Sequence, residues 1–236
     1  MNYLSIGLEA RDRVNHAIGG GFPEGSLVLI EGETGAGKSA LTSRIVYGLC
    51  EEETTVGLVS TQLSAREHIR QMHSLSYDVI DHLLDNLLQY FYAPTDGDRS
   101  LLNRFLEPSV LWDAQTIIVD EFGSLCRNDC SFATLLDSGT EDQAMERIVS
   151  RLDTALAADK VVLLTVNPKE ITDRSLRPLR SAADIYLELQ SETVGQEIRK
   201  KALVRRFSGM KRPVDDTIGF SVQQGRGVVI ESRTIA

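Results

Sequence analysis

Gly32-Glu33-Thr34-Gly35-Ala36-Gly37-Lys38-Ser39 is the stretch that decides the fold class. Its spacing is G-x-x-x-x-G-K-[ST], the pattern of a phosphate-binding loop. The apolar run Leu27-Val28-Leu29-Ile30 ahead of it reads as a buried strand, and Ala40 to Cys50 behind it reads as a helix. Glycines let successive backbone N–H groups turn inward as an anion nest, and the helix N-terminus adds its positive end. Gly32, Glu33, Thr34, Gly35, Ala36, Gly37, Lys38, Ser39 and Ala40 are therefore the expected contacts of a nucleoside triphosphate. In this design Lys38 reaches the β- and γ-phosphates and the Ser39 hydroxyl ligates Mg²⁺. The plain alternative is a glycine-rich turn between a strand and a helix.

Outward from the octet the chain alternates strand and helix. Strands are expected at Leu27 to Glu31, Val56 to Ser60, Leu88 to Tyr92, Thr116 to Asp120 and Val161 to Val166. Helical patterns lie between them at Ser64 to Leu75, Tyr77 to Leu87, Arg99 to Phe105 and Glu141 to Ala158. Several strands are apolar throughout, as in a parallel sheet covered on both faces. The stripe Val79, Ile80, Leu83, Leu84, Leu87 has amphipathic-helix spacing and is expected to face the core. After Pro178 the rhythm changes to consecutive strands, Asp184 to Gln190, Gln196 to Phe207, Gly219 to Gln223 and Val228 to Ser232, joined by short turns. The expected architecture is an α/β fold with a mostly parallel central sheet, flanking helices and a C-terminal antiparallel extension. With no internal repeat or linker, one domain over residues 1–236 is expected.

A second nucleotide motif lies at Thr116-Ile117-Ile118-Val119-Asp120, an apolar strand ending in an acid. Beside a phosphate loop such a carboxylate holds Mg²⁺, usually through a water shared with the loop serine, here Ser39. Glu121 follows directly and is either the base that activates an attacking water or a structural acid. Asn167, after Val161 to Val166, is placed to report on a γ-phosphate, although Asn before Pro168 is also a turn signal.

Composition narrows the class further. The chain of 236 residues is 42% hydrophobic and 25% charged, with a net charge of −9. That balance suits a globular protein with a sizeable core and argues against a nucleic-acid coat. Three cysteines make no disulfide framework; Cys126 and Cys130, four apart, are expected as two buried small residues on one helical turn. His16, His68, His73 and His82 form no ligand pattern, and no G-x-S-x-G elbow occurs. Met1 to Arg13 carries charge and lacks the apolar run of a secretion signal, and Val161 to Val166 is too short to span a bilayer. A cytoplasmic protein without direct membrane insertion is expected.

The run Ile18-Gly19-Gly20-Gly21-Phe22-Pro23-Glu24-Gly25-Ser26, the octet and the strand order together resemble the KaiC-like branch of the RecA superfamily. That resemblance implies a RecA-like P-loop NTPase core with ATP and Mg²⁺. In that branch the strand after the loop helix ends in one or two glutamates that polarise the lytic water. Here Gln62 and Leu63 stand in those places within Val59-Ser60-Thr61-Gln62-Leu63-Ser64. A glutamine can orient a water but cannot take its proton, and a leucine does neither. Arg206-Phe207-Ser208-Gly209 aligns with a K-x-R-G segment that reaches a neighbour's γ-phosphate across a subunit interface. Arg206 would then act in trans; the alternative is a basic strand face shared with Arg199, Lys200, Lys201, Arg205, Lys211 and Arg212.

Ser60-Thr61-Gln62-Leu63-Ser64-Ala65-Arg66-Glu67, followed by Ile69-Arg70-Gln71-Met72 and Leu75-Ser76-Tyr77-Asp78, resembles the FlaH family of archaellum motor accessory proteins. That family implies ATP binding with little turnover and a hexameric ring. It also implies docking on the hexameric archaellum motor ATPase and, through it, on the membrane platform protein. Two other readings stay open: an active ATPase with Glu121 as base, and a DNA-dependent recombinase-like ATPase. Against the latter stand the acidic net charge and the lack of any basic-aromatic binding strip.

Overall fold

The computed structural model describes residues 2–95, 100–130, 132, 134, 140–194 and 197–231. A two-stranded ribbon, β1 (Tyr3–Leu4) with β2 (Phe22–Pro23), brackets a short helix α1 (Val14–Ala17). The main chain then runs β3 (Leu27–Gly32), α2 (Lys38–Glu51), β4 (Val56–Ser60), α3 (Ala65–Ser74), α4 (Ile80–Leu84) and β5 (Leu88–Tyr92). It continues through α5 (Leu101–Leu106), β6 (Thr116–Asp120), α6 (Phe122–Arg127), α7 (Glu141–Leu156), β7 (Val161–Val166) and α8 (Asp173–Ala182). Four strands close the described chain: β8 (Ile185–Val194), β9 (Glu197–Phe207), β10 (Thr217–Gln223) and β11 (Gly227–Ile230).

Among the described residues the main sheet has the order β11-β10-β9-β8-β3-β7-β6-β4-β5. From β8 to β5 every pairing is parallel; β9, β10 and β11 add antiparallel strands. The parallel strands divide their side chains between two cores, because successive Cβ atoms point to opposite faces. Val28 and Ile30 of β3 and Leu163 of β7 join the core under α2, while Leu27, Leu29, Val162 and Leu164 join the one under α7 and α8. Their continuous apolar run is what burial on both faces demands. The mostly parallel α/β architecture expected from the rhythm is observed, as is the RecA-like core that the resemblance implied.

Three expectations need correction. Strand Asp184 to Gln190 was expected inside the antiparallel extension, yet β8 pairs parallel with β3 on one side and antiparallel with β9 on the other. The expected helix Tyr77 to Leu87 is helical only at α4, because Tyr77 is pinned by its phenol accepting the Val228 N–H at 3.0 Å. Its stripe splits accordingly: Val79 is buried, Leu83 and Leu87 pack on the core, and Ile80 and Leu84 face outward. Cys126 is buried but Cys130 is exposed, since α6 ends at Arg127 and Cys130 lies beyond it.

The helix α8 runs through Pro178. It is held by the Thr172 side chain accepting the Ser175 N–H at its start and by buried Leu176 and Leu179. The helix α3 begins with a reciprocal capping box between Ser64 and Glu67. The N-terminal segment is tied to α2 by a buried ion pair between Asp12 and Arg44, whose guanidinium also donates to the carbonyls of Ile6 and Gly7. Among the described residues, no helix is long and apolar enough to cross a membrane.

Candidate nucleotide site

The octet sits at the C-terminal end of β3, where open α/β sheets bind ligands. Gly35 and Gly37 adopt φ +83° and +103°, a region that L side chains rarely enter, so the loop can fold back only with glycine there. The first helical bond of α2 runs from the Leu41 N–H to the Gly37 carbonyl, which leaves the amides ahead of it without helical partners. Those amides and the positive end of a fourteen-residue helix make a cradle for phosphate.

Two carboxylates flank the loop from the end of β6. Asp120 is buried and accepts from the Thr165 hydroxyl of β7 at 2.9 Å; Ser39 lines the same small cavity as Asp120. Burial pushes the Asp120 carboxyl up, opposed by Thr165, the Lys38 ammonium and Ser39. Glu121 sits in the left-handed region at φ +62°, held by its N–H donating to Thr165 Oγ1 at 2.8 Å. Its Oε1 lies 3.1 Å from Lys38 Nζ, and its Oε2 is buried with no partner among the described residues. Burial raises the Glu121 carboxyl as well, with Lys38 pulling against it. Lys38 completes its shell by donating to the carbonyls of Gly32 at 2.7 Å and Glu33 at 3.3 Å.

Asn167, just past β7, donates from Nδ2 to Thr34 Oγ1 at 3.2 Å and so lies against the loop. Lys169 pairs with Glu33 at 2.6 Å. A cleft of about 430 Å³ opens beside the loop between Gly32, Thr34 and Pro168 on one side and Leu189, Gln190 and Ser191 on the other. The donor set fits Mg-nucleotide chemistry: an amide cradle, a lysine, and a hydroxyl–carboxylate pair, Ser39 with Asp120, of the oxygen type that Mg²⁺ takes.

Two expected residues lie apart from this cluster. Gln62 is exposed past the tip of β4, with its backbone N–H on Ser60 Oγ. Arg206 turns back onto its own chain, where Nη1 donates to the carbonyls of Arg180, Ser181 and Ala183 at the end of α8. Other residues join the site without having been singled out. Thr165 is the one hydroxyl in an otherwise apolar strand, a signal that could have found it. His68, buried and stacked on Tyr90, shares a small cavity with Ser39, Ser60 and Asp120.

Comparison with known proteins gives this geometry a family. The family model described as ATPase: KaiC matches residues 6–125. The archaeal flagellar ATP-binding protein FlaH of Methanocaldococcus jannaschii is 30% identical over 96% of this chain and 95% of its own length. The chain belongs to the KaiC-like FlaH family. The FlaH of Methanococcus voltae is likewise 30% identical, over all of both chains. The crystal structure of the flagellar accessory protein FlaH from M. jannaschii superposes with a TM-score of 0.89, covering 98% of this chain and 100% of that one at 30% identity. A KaiC-like protein from Pyrococcus horikoshii OT3 shares the fold, with a TM-score of 0.75 at 18% identity over 98% and 99% of the two chains. The FlaH resemblance read from Ser60 to Asp78 thus holds over the whole chain.

Proposed function

We propose that this chain is an ATP-binding regulatory component of the archaellum motor, formed as one domain over residues 1–236. It binds Mg-ATP, turns it over slowly or not at all, and assembles as a hexameric ring. In that form it modulates a hexameric motor ATPase and that enzyme's assembly on the membrane platform protein, working in the cytoplasm and held at the membrane only through those partners. Its relatives are archaeal flagellar ATP-binding proteins, which supports the setting.

One observation carries the reading: a complete phosphate cradle stands beside a β4 tip that offers no proton acceptor. Ser60, Thr61, Gln62 and Leu63 supply hydroxyls, an amide and an apolar side chain there. Lys38 and the loop amides would hold the phosphates, with Thr34 and Asn167 at the loop's flank. Mg²⁺, when bound by Ser39 and Asp120, supplies neutralisation of the phosphate oxygens. The ring and the ATP it holds are linked energetically: ATP shifts assembly only as far as it binds one state better than the other. The test is phosphate release at saturating Mg-ATP in a sample with confirmed binding. Firm binding with near-zero turnover is expected; turnover in the ordinary enzyme range would sink the regulatory reading.

A second reading has its own support in Glu121 Oε2, a buried carboxylate oxygen with no partner at the loop. In it Glu121 takes the proton of an attacking water, and the protein is an active ATPase. Glu121→Gln would then abolish turnover while binding persists.

A further inference from the structure

Resting on nucleotide binding at Gly32 to Ser39, we propose that Lys200 is a second phosphate-contacting cation of the site, supplied in cis by the C-terminal strands. Three consecutive C-terminal strands converge on two glycines of the loop. From β8, Ser191 Oγ donates to the Gly35 carbonyl at 3.2 Å; from β9, Lys200 Nζ donates to the same oxygen. From β10, the Phe220 ring backs onto Gly37, where a Cβ would lie 3.0 Å from Phe220 Cε2 and 3.1 Å from Lys200 Cδ. The stem of Lys200 is therefore seated along the loop and its ammonium sits at the rim of the cradle.

The charges around the loop explain why a cation belongs there. Lys38 is matched by Glu121, Lys169 matches Glu33, and Asp120 adds a further carboxylate. A polyphosphate entering this set meets no surplus positive charge from them. Lys200 supplies one, because among the described residues its partner is a carbonyl and not a carboxylate. Its neighbours on β9 differ: Lys201 pairs with Glu192 at 3.1 Å and Arg205 with Glu188 at 2.8 Å. Burial pulls the Lys200 ammonium pKa down, the mark of a charge short of compensation. An anion at the loop would provide that compensation, and the side chain need only swing from the Gly35 oxygen to reach it. Because β9 is paired with both β8 and β10, the same contact would carry nucleotide occupancy into the extension.

Titration calorimetry with Mg-ATP, Mg-ADP and AMP tests the assignment on the full chain and on Lys200→Gln and Lys200→Arg. The glutamine can still hydrogen-bond the Gly35 carbonyl but carries no charge, so a role confined to bracing the loop would survive it. The expected result is a loss of ATP affinity of about ten- to a hundredfold for Lys200→Gln. The loss should be smaller for ADP and smallest for AMP, and ATP affinity should respond less steeply to salt. Lys200→Arg should stay within about threefold of the parent. If the parent binds ATP and Lys200→Gln, folded by circular dichroism, binds it equally, the assignment is wrong while nucleotide binding stands. Equal losses for ATP and AMP in both variants would mark a packing role and also overturn it. If Lys200→Gln does not fold, Lys200→Arg decides: an affinity far below the parent's overturns the assignment, and retained affinity with the parent's salt response supports it. No binding by the parent would remove both readings.

Discussion

The ammonium of Lys38 and the carboxylate of Glu121 face each other at 3.1 Å, both buried, at the mouth of the phosphate loop. The lysine proposed to hold phosphate is thus already engaged by an acid of its own chain. Incoming phosphate must displace that acid, so the pair works against binding by roughly the strength of a charge-assisted hydrogen bond, about 1.5–3 kcal/mol at most. Glu121→Gln removes the competitor and should tighten Mg-ATP severalfold, to about tenfold. Calorimetry on the two proteins checks this; weaker binding by the variant would mean that Glu121 orients Lys38 instead of competing for it.

A second prediction concerns the clamp between the N-terminal segment and α2. Asp12 and Arg44 are both buried, and the Arg44 guanidinium has four protein acceptors around it. Removing one partner of such a pair leaves a buried charge uncompensated, which costs about 3–5 kcal/mol. Asp12→Ala should lose about that much in urea unfolding, while Asp12→Ala with Arg44→Met should recover part of it. A loss below about 1 kcal/mol would show that water reaches the guanidinium.

The fold, and the clustering of the candidate site residues, were legible because they rest on local rules. A glycine-lysine spacing, a strand ending in Asp120 and alternating apolar runs are each set within a few residues, and the structure keeps them together. What escaped the reading is set by distance along the chain. Lys200 and Ser191 meet Gly35 across more than 150 residues, and nothing in their own neighbourhood marks them as loop contacts. Tyr77 fails to continue a helix because Val228 needs its phenol, a demand made by β11. The parallel edge of β8 was missed since a strand's partner on each side is a tertiary choice, not a property of its sequence. α8 was missed because Pro178 reads as a breaker, whereas burial of Leu176 and Leu179 outweighs the one bond it forgoes.

Acid should weaken the protein through His68. Burial depresses its imidazole from 6.5 to about 4, and Nε2 has no partner among the described residues. The unfolded chain takes a proton near pH 6.5 that the folded one refuses until about pH 4. The contribution of the neutral ring is therefore fully present above pH 6.5 and is lost as the pH falls toward 4. Across that window the linkage amounts to about 3 kcal/mol. His68→Phe keeps an aromatic against Tyr90 and should flatten stability between those pH values. Unchanged acid sensitivity in the variant would place the responsible group elsewhere.

Arg206 offers the last test, because its two readings predict different losses. In the structure its Nη1 gathers the carbonyls of Arg180, Ser181 and Ala183, at 3.0, 3.0 and 2.6 Å, and so caps the negative end of α8. That helix in turn holds Arg180 in place, bonded through two nitrogens to the buried Glu31 of β3, directly before the loop. On this geometry Arg206→Ala should lower stability by about 1–2 kcal/mol and leave ATP affinity and the proposed ring unchanged. An arginine acting on a neighbour's γ-phosphate would behave in the opposite way, with stability of the subunit kept and nucleotide-dependent assembly lost. Urea unfolding beside light scattering with and without Mg-ATP separates the two. Loss of the ring at unaltered subunit stability would mean that the guanidinium leaves α8 when subunits meet.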